Sequence, residues 1–198
     1  MKDHYYSHNP SSESEERKIE TVLRGNKLVF TTDRGVFSKG EVDFGTQTLL
    51  DAFEWPEAEG AILDVGCGYG PIGLTLAAEK KRDVWMVDVN QRALGLAKRN
   101  AKDNQINNVT IKESDLLDSV KKQDFSAIVT NPPIRAGKKV VHELFKQTFN
   151  HLLPDGELWV VIQKKQGAPS AKERLEEIFE SVETVKKNKG YYILKAKK

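Results

Sequence analysis

The stretch LDVGCGYGPIG, residues 63–73, decides the fold expected for this chain. Leu63 and Val65 at its start are apolar, as in a buried strand, and Pro71 suits the first turn of a helix. Between them, three alternate glycines (Gly66, Gly68 and Gly70) allow a tight turn and let a ligand approach the backbone. The pattern predicts a strand, a glycine-rich loop and a helix that together form a nucleotide-like binding site.

Strand-like and helix-like patterns alternate from residue 61 onward, which predicts an α/β fold with a doubly wound, mostly parallel sheet. The strand-like runs are AILDV, DVWMVDV, NVTIKES, FSAIVT and ELWVVIQ. Near the C-terminus, VETVKK and YYILKAK are joined only by NKG, so the last strand is expected to run antiparallel to its neighbour. Near the N-terminus, two β-rich runs around residues 24–26 predict a separate hairpin.

Length and composition favour one domain. The chain has 198 residues, of which 38% are hydrophobic, and this suits one core of ordinary size. We expect a polar N-terminal tail over residues 1–18 and a single domain over residues 19–198. Within that domain, residues 19–55 would form the hairpin, a loop and a short helix, and residues 56–198 would form the ligand-binding core.

Composition also limits the setting of the protein. The chain contains one cysteine, Cys67, so neither a disulfide within the chain nor a cysteine-cluster metal site is expected. No segment resembles a signal peptide or approaches the roughly 18 apolar residues of a membrane span, which indicates a cytoplasmic protein without a membrane partner. Residues 163–198 hold ten basic and five acidic residues, a surplus that could bind phosphates or form a solvated surface.

Three acidic residues lie at or just after the ends of predicted strands and suit a cofactor. Asp88 can accept hydrogen bonds from both hydroxyls of a ribose, which fits NAD and adenosyl cofactors equally. Asp64, under the glycine loop, would repel a pyrophosphate but suits the cationic amine of an adenosyl sulfonium. Asp115 could accept a hydrogen bond from an adenine amine, or it could simply cap a turn.

The stretch TNPPIR, residues 130–135, directly follows the apolar run FSAIV. Proline lacks a backbone N–H and ends a strand, but one proline would suffice for that. Two prolines after an Asn make a rigid loop at the strand end, where open α/β sheets place their chemistry. The stretch is therefore either a strand terminator or a catalytic loop.

The ordered set of ILDVGCGYGPIGL, Asp88, Asp115 and NPPI resembles the class I S-adenosylmethionine-dependent methyltransferases over about residues 40–198. The resemblance implies a Rossmann-like, seven-stranded sheet with an antiparallel last strand and S-adenosyl-L-methionine as the cofactor. It also implies that Asp64 and the three glycines hold the amino acid end of the cofactor, while Asp88 holds the ribose and Asp115 the adenine.

In that superfamily, an Asn-Pro-Pro-aromatic loop after the fourth strand marks enzymes that methylate an amino or amide nitrogen. The side-chain oxygen of Asn131 and the carbonyl of Pro132 would each accept one N–H of the substrate amine and so direct its lone pair at the methyl group. Pro133 would stiffen this arrangement. Ile134 stands where the family usually has an aromatic residue, so it offers apolar contact instead of stacking.

The stretch GVFSKGEVDFGTQTLLDAF, residues 35–53, together with NPPI resembles the ribosomal small-subunit RNA guanine-N2 methyltransferase C group. This likeness implies ribosomal RNA or the ribosomal subunit as partner. It makes Phe37, Asp43, Gly45 and Thr46 candidate contacts of cofactor or substrate, with Thr46 assigned to the cofactor. The candidate substrate-binding residues are Phe37, Arg135, Lys138 and Lys139.

The resulting hypothesis is methyl transfer to an exocyclic amine, with guanine N2 in ribosomal RNA as the target that fits best and no metal site. Two alternatives use the same loop chemistry: a protein glutamine N-methyltransferase and an adenine amino methyltransferase on DNA or RNA. Both usually carry an aromatic residue at the position of Ile134. Two further alternatives come from other classes: an NAD-dependent oxidoreductase and a non-catalytic RNA-binding module.

Overall fold

The computed structural model of the protein describes residues 14–34, 36 and 40–198. Its strands are β1 (Arg17–Leu23), β2 (Asn26–Thr32), β3 (Ala61–Val65), β4 (Val84–Asp88), β5 (Val109–Glu113), β6 (Phe125–Thr130), β7 (Leu152–Gln163), β8 (Ser181–Asn188) and β9 (Tyr191–Lys197). Its α-helices are α1 (Phe44–Ala52), α2 (Pro71–Glu79), α3 (Gln91–Asp103), α4 (Lys138–His151) and α5 (Ala168–Glu176). Short 3₁₀ turns lie at Ile134–Ala136 and Lys164–Gln166.

The main sheet has seven strands in the order β5-β4-β3-β6-β7-β9-β8. Strands β3 to β7 pair in parallel, and β9 is antiparallel to both β7 and β8. The turn between β8 and β9 places Lys189 at φ 43° and Gly190 at φ 82°. Positive φ at both central residues matches the twist of a tight hairpin. The predicted fold class, with its antiparallel last strand and its N-terminal β1–β2 hairpin, is confirmed.

The central strands are apolar because helices cover both faces of the sheet. On one face, α1, α2, α3 and the β1–β2 hairpin enclose a core that includes Phe30, Leu74 and Trp159. On the other face, α4 and α5 enclose a second core that includes Phe145 and Leu158. All of β3 is buried between these two layers, which fixes the strand that leads into the glycine loop.

Asn100 of α3 joins the N-terminal hairpin to the glycine loop. Its Oδ1 accepts from the Thr31 backbone N–H at 2.7 Å, and its Nδ2 donates to the carbonyls of Thr31 at 3.0 Å and Tyr69 at 2.9 Å. The Asn100 side chain is fully buried, so losing these bonds would leave several backbone groups unsatisfied. The hairpin is thus held directly against the loop that the sequence marks as a binding site.

No helix among the residues that the structure describes combines the length and the apolar character needed to cross a membrane.

Candidate active site

The two predicted functional loops lie side by side at one edge of the sheet. Strands β3 and β6 are parallel neighbours whose last residues, Val65 and Thr130, are paired in register. The Thr130 hydroxyl donates to the Val65 carbonyl at 2.9 Å and ties the two strand ends together. The carboxyl ends of parallel strands are where this type of sheet binds ligands.

An open cleft with about 430 Å³ of empty space lies at this edge. Four residues that the sequence assigns to the site line the cleft: Gly66, Asp88, Asn131 and Pro133. They come from three different strand ends, so the fold brings together residues that are far apart along the chain.

The glycine loop leaves room for a ligand above two of its residues. A Cβ atom at Gly66 or Gly68 would meet no other atom within 4 Å, and both residues have positive φ, at 72° and 57°. Gly73 has the opposite role, because a Cβ there would lie 2.7 Å from Met86 Cγ and 3.1 Å from Asp64 Oδ2. The loop is therefore open toward the cleft, while α2 packs closely onto the strands.

Asp88 holds the loop in shape. Its Oδ2 accepts from the Gly68 backbone N–H at 2.8 Å, and its Oδ1 accepts from the Asn90 backbone N–H at 2.8 Å. Burial raises the pKa of Asp88, and these backbone hydrogen bonds oppose the rise. A carboxylate has about four acceptor sites, so Asp88 can still accept a hydrogen bond from a ligand hydroxyl.

Asp64 carries an unsatisfied oxygen in the interior. The residue is fully buried; its Oδ2 accepts from the Gly73 backbone N–H at 2.8 Å, but no described residue donates to its Oδ1. The pKa of Asp64 is raised to about 7: burial is the main cause, the nearby Asp88 charge adds to it, and the Gly73 N–H opposes it. A buried acceptor without a partner is costly. The cationic amine of a bound ligand, directly or through water, would satisfy it.

Ionisation of Asp64 is expected to destabilise the ligand-free fold. Because its pKa is about 7 in the folded protein against an ordinary 3.8, the folded state keeps a proton between these values that the unfolded state has lost. The contribution of protonated Asp64 to the free energy of unfolding is complete below about pH 4 and is lost as the pH rises through about 7. Denaturant unfolding measures the free energy of unfolding of wild type and of Asp64→Asn at each pH. The wild-type value minus the Asp64→Asn value should fall as the pH rises across this window. A constant difference would contradict the burial of an unpaired carboxyl group.

Asn131 has a defined side-chain orientation. Its Nδ2 donates to Asp43 Oδ2 at 3.1 Å and to Thr46 Oγ1 at 3.2 Å. A carboxylate can only accept, so the amide nitrogen must face Asp43 and the Oδ1 must face away. Among the residues described, none donates to this Oδ1. The acceptor that the sequence predicts is therefore fixed in place and available.

Asp43 and Thr46 belong to the start of α1, where Asp43 caps the helix. Asp43 Oδ2 accepts from the Thr46 backbone N–H at 3.0 Å in addition to the Asn131 amide. The sequence assigned both residues to ligand contacts, whereas in the structure both contact Asn131. They are separated from it by 88 and 85 residues, so no local pattern could have indicated the pairing.

The two prolines form a tight turn. The Pro132 carbonyl accepts from the Ile134 backbone N–H at 2.8 Å, and Pro133 has φ −76° and ψ 76°, the geometry of an inverse γ-turn. One lone pair of the predicted Pro132 acceptor is thus already in use, and the second remains for a substrate. Ile134 packs against the core under α4 and α5. Its side chain therefore serves packing and offers no stacking surface.

The remaining predicted residues lie at the rim of the cleft or outside the described part of the chain. Asp115 is exposed, although its neighbours Ser114 and Leu116 line the cleft. Lys138 and Lys139 are exposed at the start of α4. Phe37 and the side chain of Arg135 lie outside the described residues.

Tyr69 is a residue near the site that the sequence analysis did not single out. It lies between Gly68 and Gly70, is 2% exposed, and its hydroxyl has no partner among the described residues. Burial raises its pKa, and the charge of Asp43 contributes. The position of this aromatic residue between two loop glycines is the sequence feature that could have indicated a role at the site. Its buried hydroxyl is a further polar group near Asp43.

Neither a reactive thiol nor a metal-binding cluster is found among the described residues of the site. Burial raises the pKa of the Cys67 thiol well above its ordinary value, which keeps it in the unreactive thiol form. Within the described parts of the chain, no cluster of His, Cys, Asp or Glu could hold a metal ion. What the geometry offers is carboxylates for a ligand with hydroxyl and cationic groups, beside a fixed acceptor for an amine.

Comparison with known proteins gives a consistent result. The methyltransferase small domain model matches residues 27–195. YbxB of Bacillus subtilis, whose name assigns no activity, is 58% identical over 100% of both chains. Ribosomal RNA small subunit methyltransferase C of Actinobacillus pleuropneumoniae serotype 7 is 32% identical over 82% of this chain, which spans 50% of that relative.

A solved structure of T. thermophilus 16S rRNA N2 G1207 methyltransferase (RsmC) in complex with AdoMet and guanosine superposes with a TM-score of 0.83. The two sequences are 27% identical over 96% of this chain and 52% of the other. This chain thus corresponds to about half the length of the named methyltransferases that it matches.

Proposed function

This chain belongs to the methyltransferase small domain family, and from that premise we propose that it transfers a methyl group from S-adenosyl-L-methionine to the N2 amine of guanine in small-subunit ribosomal RNA. The observation that carries the proposal is the orientation of Asn131, whose Nδ2 is held by Asp43 and Thr46 so that its Oδ1 is left to accept from a substrate. A ribosomal substrate would place the reaction in the cytoplasm.

The predicted cofactor is confirmed by the family and by the AdoMet in the T. thermophilus structure. The residues present fit it. The buried, unpaired Oδ1 of Asp64 suits its amine, the open side of Gly66 and Gly68 leaves space for it, and Asp88 suits its ribose hydroxyls. When bound, the cofactor supplies an electrophilic methyl group on a sulfonium.

The protein's own task is to present the amine. The lone pair of an exocyclic amine is spread into the ring of the base, so it must be turned out of that plane to attack. Asn131 Oδ1 accepts one N–H, and the second lone pair of the Pro132 carbonyl accepts the other. The γ-turn at Pro133 fixes the Pro132 carbonyl, and the contacts with Asp43 and Thr46 fix Asn131 Oδ1. Two fixed acceptors are the preorganisation that alignment requires. The proton becomes acidic once the nitrogen is alkylated and can pass to solvent water, so no strong base is needed.

Guanine N2 as target is supported by relatives. The T. thermophilus neighbour is a 16S rRNA N2 G1207 methyltransferase with guanosine in its structure, and other relatives are named for small-subunit ribosomal RNA methylation. The oxidoreductase alternative has no support, because the matching family is one of methyltransferases. The glutamine and adenine alternatives share the loop chemistry and are separated from guanine by experiment.

Labelled cofactor offered with separate pools of substrate tests the proposal. The protein should transfer labelled methyl groups to small-subunit ribosomal RNA or to small subunits, and not to DNA or to bulk protein. Label that enters only protein would contradict an RNA substrate. Tight cofactor binding without label in any pool would instead favour the non-catalytic RNA-binding alternative.

A further inference from the structure

A small aromatic and basic surface adjoins the active site. Phe44, the first residue of α1, has its ring centroid 5.7 Å from that of Tyr191, the first residue of β9. The Nζ of Lys189 lies 4.9 Å from the Phe44 centroid. Phe44 and Tyr191 are both partly exposed, and Lys189 is exposed. We call these three residues the platform.

The platform lies directly beside the Asn131 contacts. A Cβ atom on Gly45 would be 2.6 Å from the Tyr191 ring and 2.9 Å from Asp43 Oδ2. The Tyr191 ring and the Asp43 carboxylate therefore both press against Gly45. Asp43 in turn lies 3.1 Å from the Asn131 amide. A molecule that reaches Asn131 from this side would pass over the platform.

The surroundings of the platform are positively charged. The Lys164 backbone N–H donates to the Gly190 carbonyl at 2.8 Å, so the exposed Lys164 and Lys165 come next to the β8–β9 turn. Among the described residues, Lys164, Lys165 and Lys189 form no salt bridge. Lys186 nearby has only Asp51 at 3.9 Å. Uncompensated lysines at this position suit a phosphate backbone.

The platform offers the rings that the catalytic loop lacks. Ile134 is partly buried, packs against the core and has no aromatic ring to stack on a base. In contrast, the rings of Phe44 and Tyr191 are partly exposed, and the exposed Lys189 side chain lies over the Phe44 ring. Single-stranded nucleic acid is bound by aromatic rings that stack on bases together with cations that meet phosphates.

We propose that the platform binds single-stranded RNA, with a base stacked on Phe44 or Tyr191 and a phosphate held by Lys189. This inference rests on the proposed function, because it concerns how the RNA is brought to Asn131. It assigns substrate binding to residues that the sequence motifs leave unassigned, and it places the stacking contact on α1 and β9 instead of on the proline loop.

The β8–β9 hairpin also contains a lysine, Lys187, that serves as a matched control for Lys189. Lys187 places its Nζ 4.8 Å from the ring centroid of Tyr192. Tyr192 packs against the core under α4 and α5, so this pair lies on the opposite face of the sheet from the platform. Lys187→Ala removes the same charge and the same kind of cation–π contact, but away from the active site.

The test measures steady-state methylation of small-subunit ribosomal RNA and binding of a short fluorescein-labelled single-stranded RNA. Lys189→Ala and Phe44→Leu should each raise the KM for RNA and the Kd for the oligonucleotide about 10-fold, with kcat and cofactor affinity almost unchanged. Phe44→Tyr, which keeps a ring, should retain wild-type affinity. Lys187→Ala should change either constant by less than about 2-fold.

Two results would contradict RNA binding by the platform. One is an equal loss of RNA affinity in Lys189→Ala and Lys187→Ala, which would indicate diffuse charge attraction. The other is an unchanged KM and Kd in Phe44→Leu. Failure of the proposed function is recognised separately. If wild type binds the oligonucleotide but methylates no RNA, the proposed function fails, and the binding comparison alone decides for or against the platform. If wild type binds no RNA, both fail.

Discussion

Replacing Asn131 by Ala is expected to lower the kcat of methyl transfer at least about 100-fold, with a much smaller effect on cofactor affinity. The substitution removes the oriented Oδ1 and leaves the partly buried carboxylate of Asp43 without its amide partner. The substrate amine would then lack one of the two acceptors that align its lone pair. Single-turnover kinetics with saturating cofactor, together with calorimetry of cofactor binding, separates the two effects.

A matched control for Asn131 is Asn150→Ala, which changes an exposed Asn near the end of α4 and should leave kcat unchanged. If Asn131→Ala kept kcat within a few-fold of wild type, the loop would be only a strand terminator. If its cofactor affinity fell as far as its kcat, Asn131 would act mainly on the cofactor and the proposed alignment of the amine would be wrong.

Replacing Asp88 by Ala is expected to weaken cofactor binding about 100-fold. Hydrogen bonds to a charged acceptor contribute about 1.5–3 kcal/mol each, and Asp88 can offer one to each ribose hydroxyl. The variant also loses the acceptor that holds the Gly68 backbone N–H at 2.8 Å, so the glycine loop loses its shape. Calorimetric titration with S-adenosyl-L-methionine measures the effect.

The control for Asp88 lies at the other end of the same strand. Asp83 is exposed just before β4, so Asp83→Ala removes an identical charge without touching the cleft. Its cofactor affinity should equal that of wild type. If Asp88→Ala bound S-adenosyl-L-methionine with an affinity within a few-fold of wild type, Asp88 would not be a cofactor-binding residue.

The fold was predictable because its signals are local. Apolar runs, alternate glycines and a tight Asn-Lys-Gly turn each report the conformation of a few neighbouring residues, and chain order then limits the sheet topology. The same reasoning placed Asp64, Asp88 and Asn131 at strand ends that face one cleft. Of these, the structure shows that Asp88 and Asn131 line it.

The contacts that give the site its precision were not predictable in this way. The bonds from Asn131 to Asp43 and Thr46 join segments 88 and 85 residues apart, and periodicity carries no information about such pairs. Likewise, the γ-turn that uses one lone pair of the Pro132 carbonyl depends on backbone angles. The pairing of Phe44 with Tyr191 depends on how α1 meets β9.

The central claim is methylation of guanine N2 in small-subunit ribosomal RNA, and nucleoside analysis tests it most directly. Small-subunit RNA from cells that lack this protein is incubated with the protein and a cofactor carrying a deuterated methyl group, digested to nucleosides and separated by mass spectrometry. Wild type should yield deuterated N2-methylguanosine, and Asn131→Ala should yield none. Deuterium found in methylated adenosine, or in no nucleoside at all, would contradict methylation of guanine N2.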